Sequence, residues 1–232
     1  MDPDRLAALT ADLEDDRRYG MAVGNRLCHT CVDVLGVTGV GIMLMVDGEH
    51  RGIFGVSNSV VSVIEELQFT LGEGPCIDTF NSEVAVHEPD LQSPETNRWP
   101  AFSGPAVRAG VRAVFAFPLR SGESVLGALD IYLDGPGALN TDQVTDAVVM
   151  AELAANTVLA LQADAPPGAL AHEIDQSVNH RAVVHQASGM LSVQLAIPVN
   201  EARSRIRAHA YTCDRSIDDI ARDIVGRRLQ LT

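Results

Sequence analysis

The spacing of apolar residues predicts alternating helices and strands over the first two thirds of the chain. Apolar positions three or four residues apart predict helices, and short runs rich in Val, Ile and Phe predict strands. Helices are predicted over residues 5–36, 59–68, 76–81, 99–109 and 141–163, the last with Thr141 as its N-cap. Strands are predicted over residues 40–46, 51–56, 85–87, 111–119 and 125–133, with Asp47-Gly48 as a hairpin turn. Strands framed by helices in this order indicate an α+β fold with an antiparallel sheet.

The last fifty residues have the pattern of three short helices. These are predicted over residues 182–195, 200–211 and 216–228. Pro198 ends the first because it lacks a backbone donor. Asn200 and Ser216 are expected to cap the second and third, since each side chain can accept from amides of the first turn. A unit this small cannot house a substrate, and a helical surface of this kind usually contacts another macromolecule.

Charge is distributed unevenly between these two parts of the chain. The net charge is −14 overall. Residues 1–167 hold 9 Arg and 24 acidic residues, whereas residues 168–232 hold 8 Arg and 7 acidic residues. Binding to phosphate depends on the local patch rather than on the total. Any contact with nucleic acid is therefore expected in the C-terminal part, while the acidic first part should repel it.

The sequence favours a cytoplasmic protein that does not enter a membrane. We find no run of about eighteen apolar residues of the kind that spans a bilayer. The segment Met1-Asp-Pro-Asp-Arg5 is acidic and mixed, unlike the start of a secretory signal. Four cysteines in a chain without an export signal argue against a disulfide framework.

The C-terminal part resembles the ANTAR domain family. The matching segments are Gln186-Ala-Ser-Gly-Met-Leu191, Glu201-Ala202, Ile206-Arg-Ala-His-Ala210 and Ile217-Asp-Asp-Ile-Ala-Arg-Asp-Ile-Val225. Small residues fall where that family keeps its helices close, at Ala187, Gly189, Ala202, Ala210 and Ala221. The resemblance implies an RNA-binding transcription-antitermination module that recognises paired stem-loops in nascent transcripts. Ser188 stands where many members have lysine.

Residues 20–163 resemble the GAF domain family. The resemblance is carried by Leu71-Gly-Glu-Gly-Pro-Cys76, by Arg98-Trp-Pro-Ala-Phe102, and by Gly110-Val-Arg-Ala-Val-Phe-Ala-Phe-Pro-Leu119 leading to Gly127-Ala-Leu-Asp-Ile-Tyr132. It implies a pocket for a small molecule or other signal, frequently in a dimer. We therefore expect a GAF-like sensor domain over residues 1–164, joined by a long helix to a three-helix ANTAR-like domain over residues 165–232.

Two residues of the GAF-like part are candidates for sensing a signal. Cys76 opens a predicted helix, where the positive end of the dipole favours a reactive thiolate. The alternative is a small buried residue that closes the Gly-Glu-Gly-Pro turn. Asp130 lies in an apolar strand, opposite in direction to Leu129 and Ile131. It either faces a pocket and orients a ligand or faces solvent.

Neither a metal site nor catalysis is expected from the sequence. Cys28-His-Thr-Cys31 has the spacing of half a zinc site but lacks a second pair, which favours core packing. His87-Glu-Pro-Asp90 lacks a partner nucleophile and is interpreted as a loop at the pocket mouth. Reduction of an oxidised sulfur compound would need two cysteines close in space, and only Cys76 lies in the pocket region.

An RNA-binding face is predicted on the outer sides of the last three helices. Its candidate residues are Gln186, Ser188, Arg203, Arg207, His209, Tyr211, Arg222, Arg227 and Arg228. Tyr211 could stack on an unpaired base, as RNA loops commonly require. The alternative is that several of these arginines pair on a solvated surface with the acidic residues Glu201, Asp218, Asp219 or Asp223.

The preferred interpretation is a signal-responsive regulator that acts as a homodimer. An apolar seam on the long helix suggests a parallel partner helix, and it comprises Val144, Val148, Ala151, Ala155, Val158 and Ala160-Leu161. Two alternatives stay open. The chain is a DNA-binding regulator with a helix-turn-helix, although its last helix has no Asn or Gln near its start to read bases. Otherwise it is a redox regulator that acts through a thiol.

Overall fold

The computed structural model describes residues 20–46, 49–93, 98–164, 179–213 and 215–231. They form two units, and the division between them falls after Ile174, within a range that is not described. Each unit is treated by itself below. The predicted helix before Gly20 and the Asp47-Gly48 turn lie outside the described residues, as do residues 165–178 of the predicted ANTAR-like domain.

The N-terminal unit is an antiparallel sheet of five strands with helices on both faces. Its elements are α1 Gly20–Leu35, β1 Gly39–Val46, β2 Glu49–Val56, α2 Ser59–Leu71, α3 Pro75–Ser82, β3 Val86–Glu88, α4 Ser103–Arg108, β4 Ala113–Ser121, β5 Ser124–Leu133 and α5 Thr141–Asp164. The strand order is β2-β1-β5-β4-β3, and every neighbouring pair is antiparallel. The predicted α+β class with an antiparallel sheet is confirmed.

Alternation along the strands divides the interior into two layers. On β5, Leu129 and Ile131 face the layer that packs against α1 and α5. Tyr132, one residue further, faces the layer that packs against α2 and α4. Because both faces of the sheet are covered, its central strands are apolar almost throughout, which is typical of sheets buried on both sides. Cys28 and Cys31 lie in the first layer, fully buried and unbridged, as core packing predicts.

The turn between α2 and α3 depends on two glycines. Gly72 ends α2 in the left-handed region with φ 67°, and Gly74 precedes α3 with φ 141°. Side chains rarely adopt either conformation, so glycine is required at both positions. Pro75 then begins α3 with its fixed φ, as expected of a proline in a first turn. The turn places Cys76 in the first turn of α3, above the sheet.

The long helix α5 differs from its prediction in its N-cap and in what its apolar residues pack against. Asn140 rather than Thr141 caps it, because the Asn140 side chain accepts from the Gln143 amide at 2.9 Å and Gln143 returns a bond to the Asn140 amide. The predicted dimer seam is largely internal. Ala151, Ala155, Val158 and Leu161 pack into the core that the sheet forms with α1. Of the seam residues, Val148 is exposed. Because most of the others are buried in the core of their own unit, the apolar residues of α5 do not indicate a partner helix.

Helix α5 is also long and apolar enough over Thr141–Ala163 to cross a membrane by length and composition alone. Core helices meet the same criterion. Because its inner face packs against the sheet, the apolar composition of α5 is accounted for by the core of its own unit.

The C-terminal unit is a bundle of three helices, α6 Asn179–Leu195, α7 Val199–Thr212 and α8 Ile217–Val225. Ser216 caps α8 by accepting from the Asp219 amide at 3.1 Å, as predicted. Asn200 is not a cap, since α7 begins one residue earlier with Pro198 in that position. Helix α8 ends three residues before its predicted end, because Arg227 adopts the left-handed region with φ 56°.

Small residues were predicted to keep the three helices close, and this holds for four of the five. Ala187, Ala202 and Ala221 are fully buried in the core of the bundle, and Ala210 is nearly so. Gly189 differs, because a Cβ built there meets no described atom within 4 Å. Its lack of a side chain is therefore not explained by a close approach of helices.

Helix α1 approaches β2 so closely that Gly24 admits no side chain. A Cβ at Gly24 would overlap the backbone carbonyl of Phe54, whereas at Gly104 in α4 it would meet only the end of Arg108 at 3.5 Å. We expect Gly24→Ala to destabilise the unit by about 1–3 kcal/mol through overpacking, although alanine favours helices. Gly104→Ala should change stability by less than about 1 kcal/mol, in the stabilising direction.

Urea unfolding followed by tryptophan fluorescence measures this difference, because Trp99 is the single tryptophan and lies in the N-terminal unit. An unchanged or higher midpoint for Gly24→Ala would contradict the close approach of α1 and β2.

Candidate functional site

A cluster of polar side chains lies buried between α2, α3 and β5. We call it the buried polar cluster, and it consists of Glu65, Gln68, Cys76, Asp130 and Tyr132. Each of these residues is at most 1% exposed. Cys76 and Asp130 were predicted from the sequence, whereas Glu65, Gln68 and Tyr132 were not. A signal was present, since Glu65 and Gln68 are three residues apart on the same stripe of α2 as the core residues Val61 and Ile64.

The side chain of Gln68 connects the cluster. Its Oε1 accepts from the Cys76 amide at 2.9 Å, which joins α2 to the first turn of α3. Its Nε2 lies 3.3 Å from Glu65 Oε2, 3.0 Å from the Tyr132 hydroxyl and 3.5 Å from Asp130 Oδ2. The Tyr132 hydroxyl donates to Glu65 Oε1 at 2.9 Å. Two helices and one strand are thus connected through a single amide.

Burial decides the protonation of this cluster. It raises the pKa of Asp130 well above its usual range, and the nearby Glu65 charge raises it further. The pKa of Tyr132 is raised by the same burial and by both carboxylates. Two carboxyl groups so close together in a dry interior cannot both stay ionised without a compensating cation. The site therefore holds either a retained proton or a bound positive charge.

The surroundings of Cys76 oppose the reactive thiolate that its place at a helix N-terminus suggests. It is fully buried. Burial raises its pKa well above the usual value, and the charges of Asp130 and Glu65 raise it further. Desolvation and two carboxylates outweigh the helix dipole here. This burial favours the alternative of a small residue that closes the turn, and a reactive thiolate at Cys76 stays a prediction.

Asp130 faces the interior rather than solvent, which decides between the two orientations left open above. It shares the cluster with Glu65 and Gln68 and is fully buried. Residues 87–90 were predicted to form a loop at the pocket mouth, but His87 and Glu88 belong to strand β3. Glu88 accepts from the Asp90 amide, and the His87 ring packs edge-on against Phe115 and Phe117.

Two carboxylates connect the glycine-containing motif of residues 71–76 and the helix after it to the tryptophan-containing motif of residues 98–102. Glu73 accepts from the amides of Ala101 and Phe102 at 2.6 and 2.8 Å. Asp78, in α3, accepts from Arg98 at 2.7 Å and from the Trp99 ring nitrogen at 3.0 Å. The segment around Trp99 is therefore fixed to α3 and to the turn that precedes it, beside the buried polar cluster.

A small cavity opens beside this cluster. It has a volume of about 210 Å³, and its lining includes Thr38, Asn58, Val61, Gly110, Val111 and Tyr132. This is smaller than the roughly 300–1,000 Å³ of pockets for drug-sized ligands. Tyr132 belongs to both the cavity wall and the buried polar cluster, so a ligand in the cavity would be one side chain away from Glu65.

In the C-terminal unit, two of the predicted RNA-binding residues are buried. The Ser188 hydroxyl donates to the Val184 carbonyl at 2.7 Å inside the bundle. Arg203 is 5% exposed, and its guanidinium lies 3.3 Å from the ring of His185 on α6. Neither side chain presents a surface to RNA in this conformation, because α6 and α7 pack over them. Both are corrections to the predicted face.

The other predicted residues of α6 and α7 lie at the surface to different degrees. Gln186 is exposed, and Arg207 and His209 are half-buried. Tyr211, in the last turn of α7, is 73% exposed. Single exposed aromatic rings are common on protein surfaces, so contact of Tyr211 with a partner stays a prediction.

Four arginines lie around α8, and we call them the α8 arginine cluster. Asp223 bridges two of them, at 2.7 Å from Arg215 and 2.8 Å from Arg228. Arg222 pairs with Asp219 at 2.9 Å and approaches Asp218 at 3.7 Å. Arg227 is exposed, and no ion pair is found for it among the described residues. The predicted pairing of α8 arginines with acidic neighbours is present at Arg222 and Arg228.

Arg215 is the member of this cluster that was not predicted from the sequence. It lies in the turn before α8, eight residues from Asp223, and is therefore outside the helical pattern. The Arg215 guanidinium, followed by that of Arg228, lowers the pKa of Asp223. The two arginines are exposed and Asp223 is half-buried, so such pairs contribute little to stability and can exchange partners.

Family comparison identifies both units. The GAF domain family matches residues 22–159, and the ANTAR domain family matches residues 172–225. The chain belongs to the GAF domain family and carries an ANTAR domain after it, as both resemblances predicted. Both are regulatory domains, so the chain is a signal-transduction regulator of the ANTAR type.

Solved structures with low sequence identity share the fold of the N-terminal unit. The GAF domain of an Acinetobacter phosphoenolpyruvate-protein phosphotransferase is 12% identical, with a TM-score of 0.54 over 70% of this chain and 98% of that one. Free methionine-R-sulfoxide reductase of Neisseria meningitidis is 14% identical, with a TM-score of 0.53 over 69% and 89%. At such identities the likeness shows the fold alone. A search of the curated proteins found no match.

The burial of three cysteines predicts the reactivity of each thiol. Cys213 is exposed, whereas Cys28, Cys31 and Cys76 are buried, with the pKa of Cys31 raised to about 12. We expect the native protein to react rapidly with an aromatic disulfide reagent at one thiol only, both at pH 7 and at pH 9. Unfolding should expose all four.

Substitution of Cys213 by serine should remove the rapid reaction, and the released coloured thiolate measures it. A second rapid equivalent that disappears in Cys76→Ser would contradict the buried, protonated state of that thiol.

Proposed function

We propose that the chain is a signal-responsive, RNA-binding regulator of transcription antitermination. In this proposal the GAF domain binds a small molecule, and the ANTAR domain binds paired stem-loops in nascent transcripts. The observation that carries it is the α8 arginine cluster, which lies on or directly beside the segment matched by the ANTAR family.

The cluster is suited to phosphate because its cations exceed their local partners. Arg215 and Arg228 share one carboxylate, Asp223, and Arg227 adds a further exposed charge. Exposed ion pairs are weak, so a phosphate can displace Asp223 from either guanidinium at little cost. Arg222 is a poorer candidate, since two carboxylates already face it.

The sensing half of the proposal rests on the cavity and the buried polar cluster. A ligand in the 210 Å³ cavity would contact Tyr132 and, through it, Glu65 and Gln68. To regulate RNA binding, that ligand must bind one conformation of the chain more tightly than another. A cytoplasmic location follows from a nascent transcript as target, and a homodimer would engage two stem-loops with higher avidity.

Replacing the exposed arginines by glutamine tests the RNA-binding face. We expect Arg215→Gln/Arg227→Gln/Arg228→Gln to weaken binding to a transcript with two adjacent stem-loops at least tenfold. The slope of log affinity against log salt should fall in magnitude by roughly 2, because contacts with phosphate are lost. Arg203 is left unchanged, since its side chain is buried in the bundle. Gel shifts of the full chain at several salt concentrations measure both quantities.

A matched control removes the same charge from the other unit. Arg98→Gln/Arg108→Gln/Arg120→Gln changes three exposed arginines of the GAF domain, and binding should change by less than about threefold. Equal losses in both variants would indicate dependence on net charge alone and contradict a specific face. Tighter binding to duplex DNA of equal length would favour the helix-turn-helix interpretation instead.

Tyr211 allows a separate test of recognition of unpaired bases. If its exposed ring stacks on a loop base, Tyr211→Ala should cost about 1–3 kcal/mol of binding free energy, and Tyr211→Phe should retain most of it. Val193→Ala, at another exposed apolar position, is the control and should bind like the unchanged chain. Equal affinity of all three variants for the two-stem-loop transcript would rule out stacking by Tyr211.

A further inference from the structure

Three side chains of the buried polar cluster bring metal-ligating atoms together. A carboxylate oxygen of Glu65, the sulfur of Cys76 and a carboxylate oxygen of Asp130 all lie within 4.8 Å of one another. The three residues come from α2, α3 and β5, so the fold rather than local sequence makes this arrangement. All three are fully buried. Two carboxyl groups and a thiol rarely lie together in a dry interior without a cation, because buried charges without partners are costly.

A second observation concerns the oxygens of Asp130. Oδ2 lies within reach of the Gln68 amide at 3.5 Å. Oδ1 is buried and has no hydrogen-bond partner among the described residues. A buried acceptor with no donor is costly, and the cost is larger for a charged group. Oδ1 of Asp130 is therefore available to bind a ligand, because no described side chain donates to it.

We propose that Glu65, Cys76 and Asp130 bind a divalent metal ion of the zinc class. Zinc binds sulfur at about 2.3 Å and carboxylate oxygen at about 2.0–2.2 Å, so two ligands of one ion are at most about 4.5 Å apart. The three ligand atoms lie within 4.8 Å of one another, so side-chain rotations that bring them closer would let them bind one ion. Tyr132, whose hydroxyl lies 2.9 Å from Glu65, can complete the site as a fourth ligand or as a hydrogen-bond donor to the Glu65 carboxylate.

The mixed ligand set selects the class of metal. Thiolate disfavours Mg²⁺ and Ca²⁺, and two carboxylates disfavour Cu⁺, which leaves borderline ions such as Zn²⁺ and Co²⁺. On binding, the Cys76 thiol loses its proton to solvent and the ion takes its place on sulfur. Any proton held between Glu65 and Asp130 leaves in the same way. The bound site then has one dipositive ion against three negative ligands, with no change in oxidation state.

The alternative occupant is a proton shared by the two carboxyl groups. It would also lower the charge of the pair, but it does not remove the proton from the Cys76 thiol. Metal binding and proton sharing therefore differ in what happens at sulfur. The metal proposal is independent of whether the C-terminal unit binds RNA.

Cobalt substitution tests the site on the full chain. Because the ligand atoms are buried, the metal is supplied during synthesis, in minimal medium with Co²⁺. We expect about one Co²⁺ per chain by elemental analysis and an absorption band in the near ultraviolet from thiolate-to-cobalt charge transfer. Cys76→Ser should abolish the band, and Asp130→Asn should lower cobalt content at least tenfold.

Cys213→Ser is the necessary control. The Cys213 sulfur lies 3.6 Å from the His209 ring on the surface of α7, so this pair is a second place where cobalt could meet a thiol. The variant should keep both the band and the metal.

Two outcomes would overturn the proposal. One is a folded, unchanged chain with less than about a tenth of a cobalt ion, which would leave the shared proton as the occupant. The other is a band that survives Cys76→Ser and disappears in Cys213→Ser. Circular dichroism establishes that each variant is folded. If Cys76→Ser does not fold, the cobalt content of the unchanged chain and of Asp130→Asn still decides.

Discussion

The N-terminal unit depends on one constraint, which is that the polar groups of Glu65, Gln68 and Tyr132 must satisfy one another in a dry interior. An apolar interface tolerates small shifts, but a buried hydrogen-bond network does not, because each broken bond leaves a costly unpaired group. The network therefore fixes α2 and α3 against β5. It also requires space, since a Cβ at Gly41 would overlap the Glu65 carboxylate and one at Gly74 would overlap Gln68.

The elements of the fold were largely predictable, but this network was not. Periodicity predicted each strand found among the described residues, and the strands on either side of Asp47-Gly48 pair as a hairpin should. It could not show that Glu65 and Cys76 meet, because they belong to different helices and meet only through the sheet. The effect of burial on the pKa of Cys76 was not predictable from the sequence either. The helix dipole at Cys76 is visible in the sequence, whereas the two carboxylates that outweigh it come from elsewhere in the chain.

The C-terminal unit shows the same limit at its surface. The spacing of Arg203 and Arg207 on one side of α7 suggested a common exposed face. In a bundle of three helices, however, each helix is covered on more than one side, and α6 places His185 against Arg203. Conversely, Arg215 lies in a turn, where periodicity predicts nothing. It lies near Arg228 because both form an ion pair with Asp223. Patterns along a helix predict which side is apolar, but they do not predict which polar side is covered.

Strand β5 is the element through which an event at the buried polar cluster could affect the rest of the N-terminal unit. Asp130 points toward α2 and α3, whereas its neighbours Leu129 and Ile131 pack in the layer that contains α5. A strand cannot move one side chain along its axis without moving those on either side of it. Packed interiors transmit such shifts rather than absorb them. Binding at Asp130 would therefore act on α5, the last described helix before residues 165–178, and coupling requires that α5 have two packings that the ligand distinguishes.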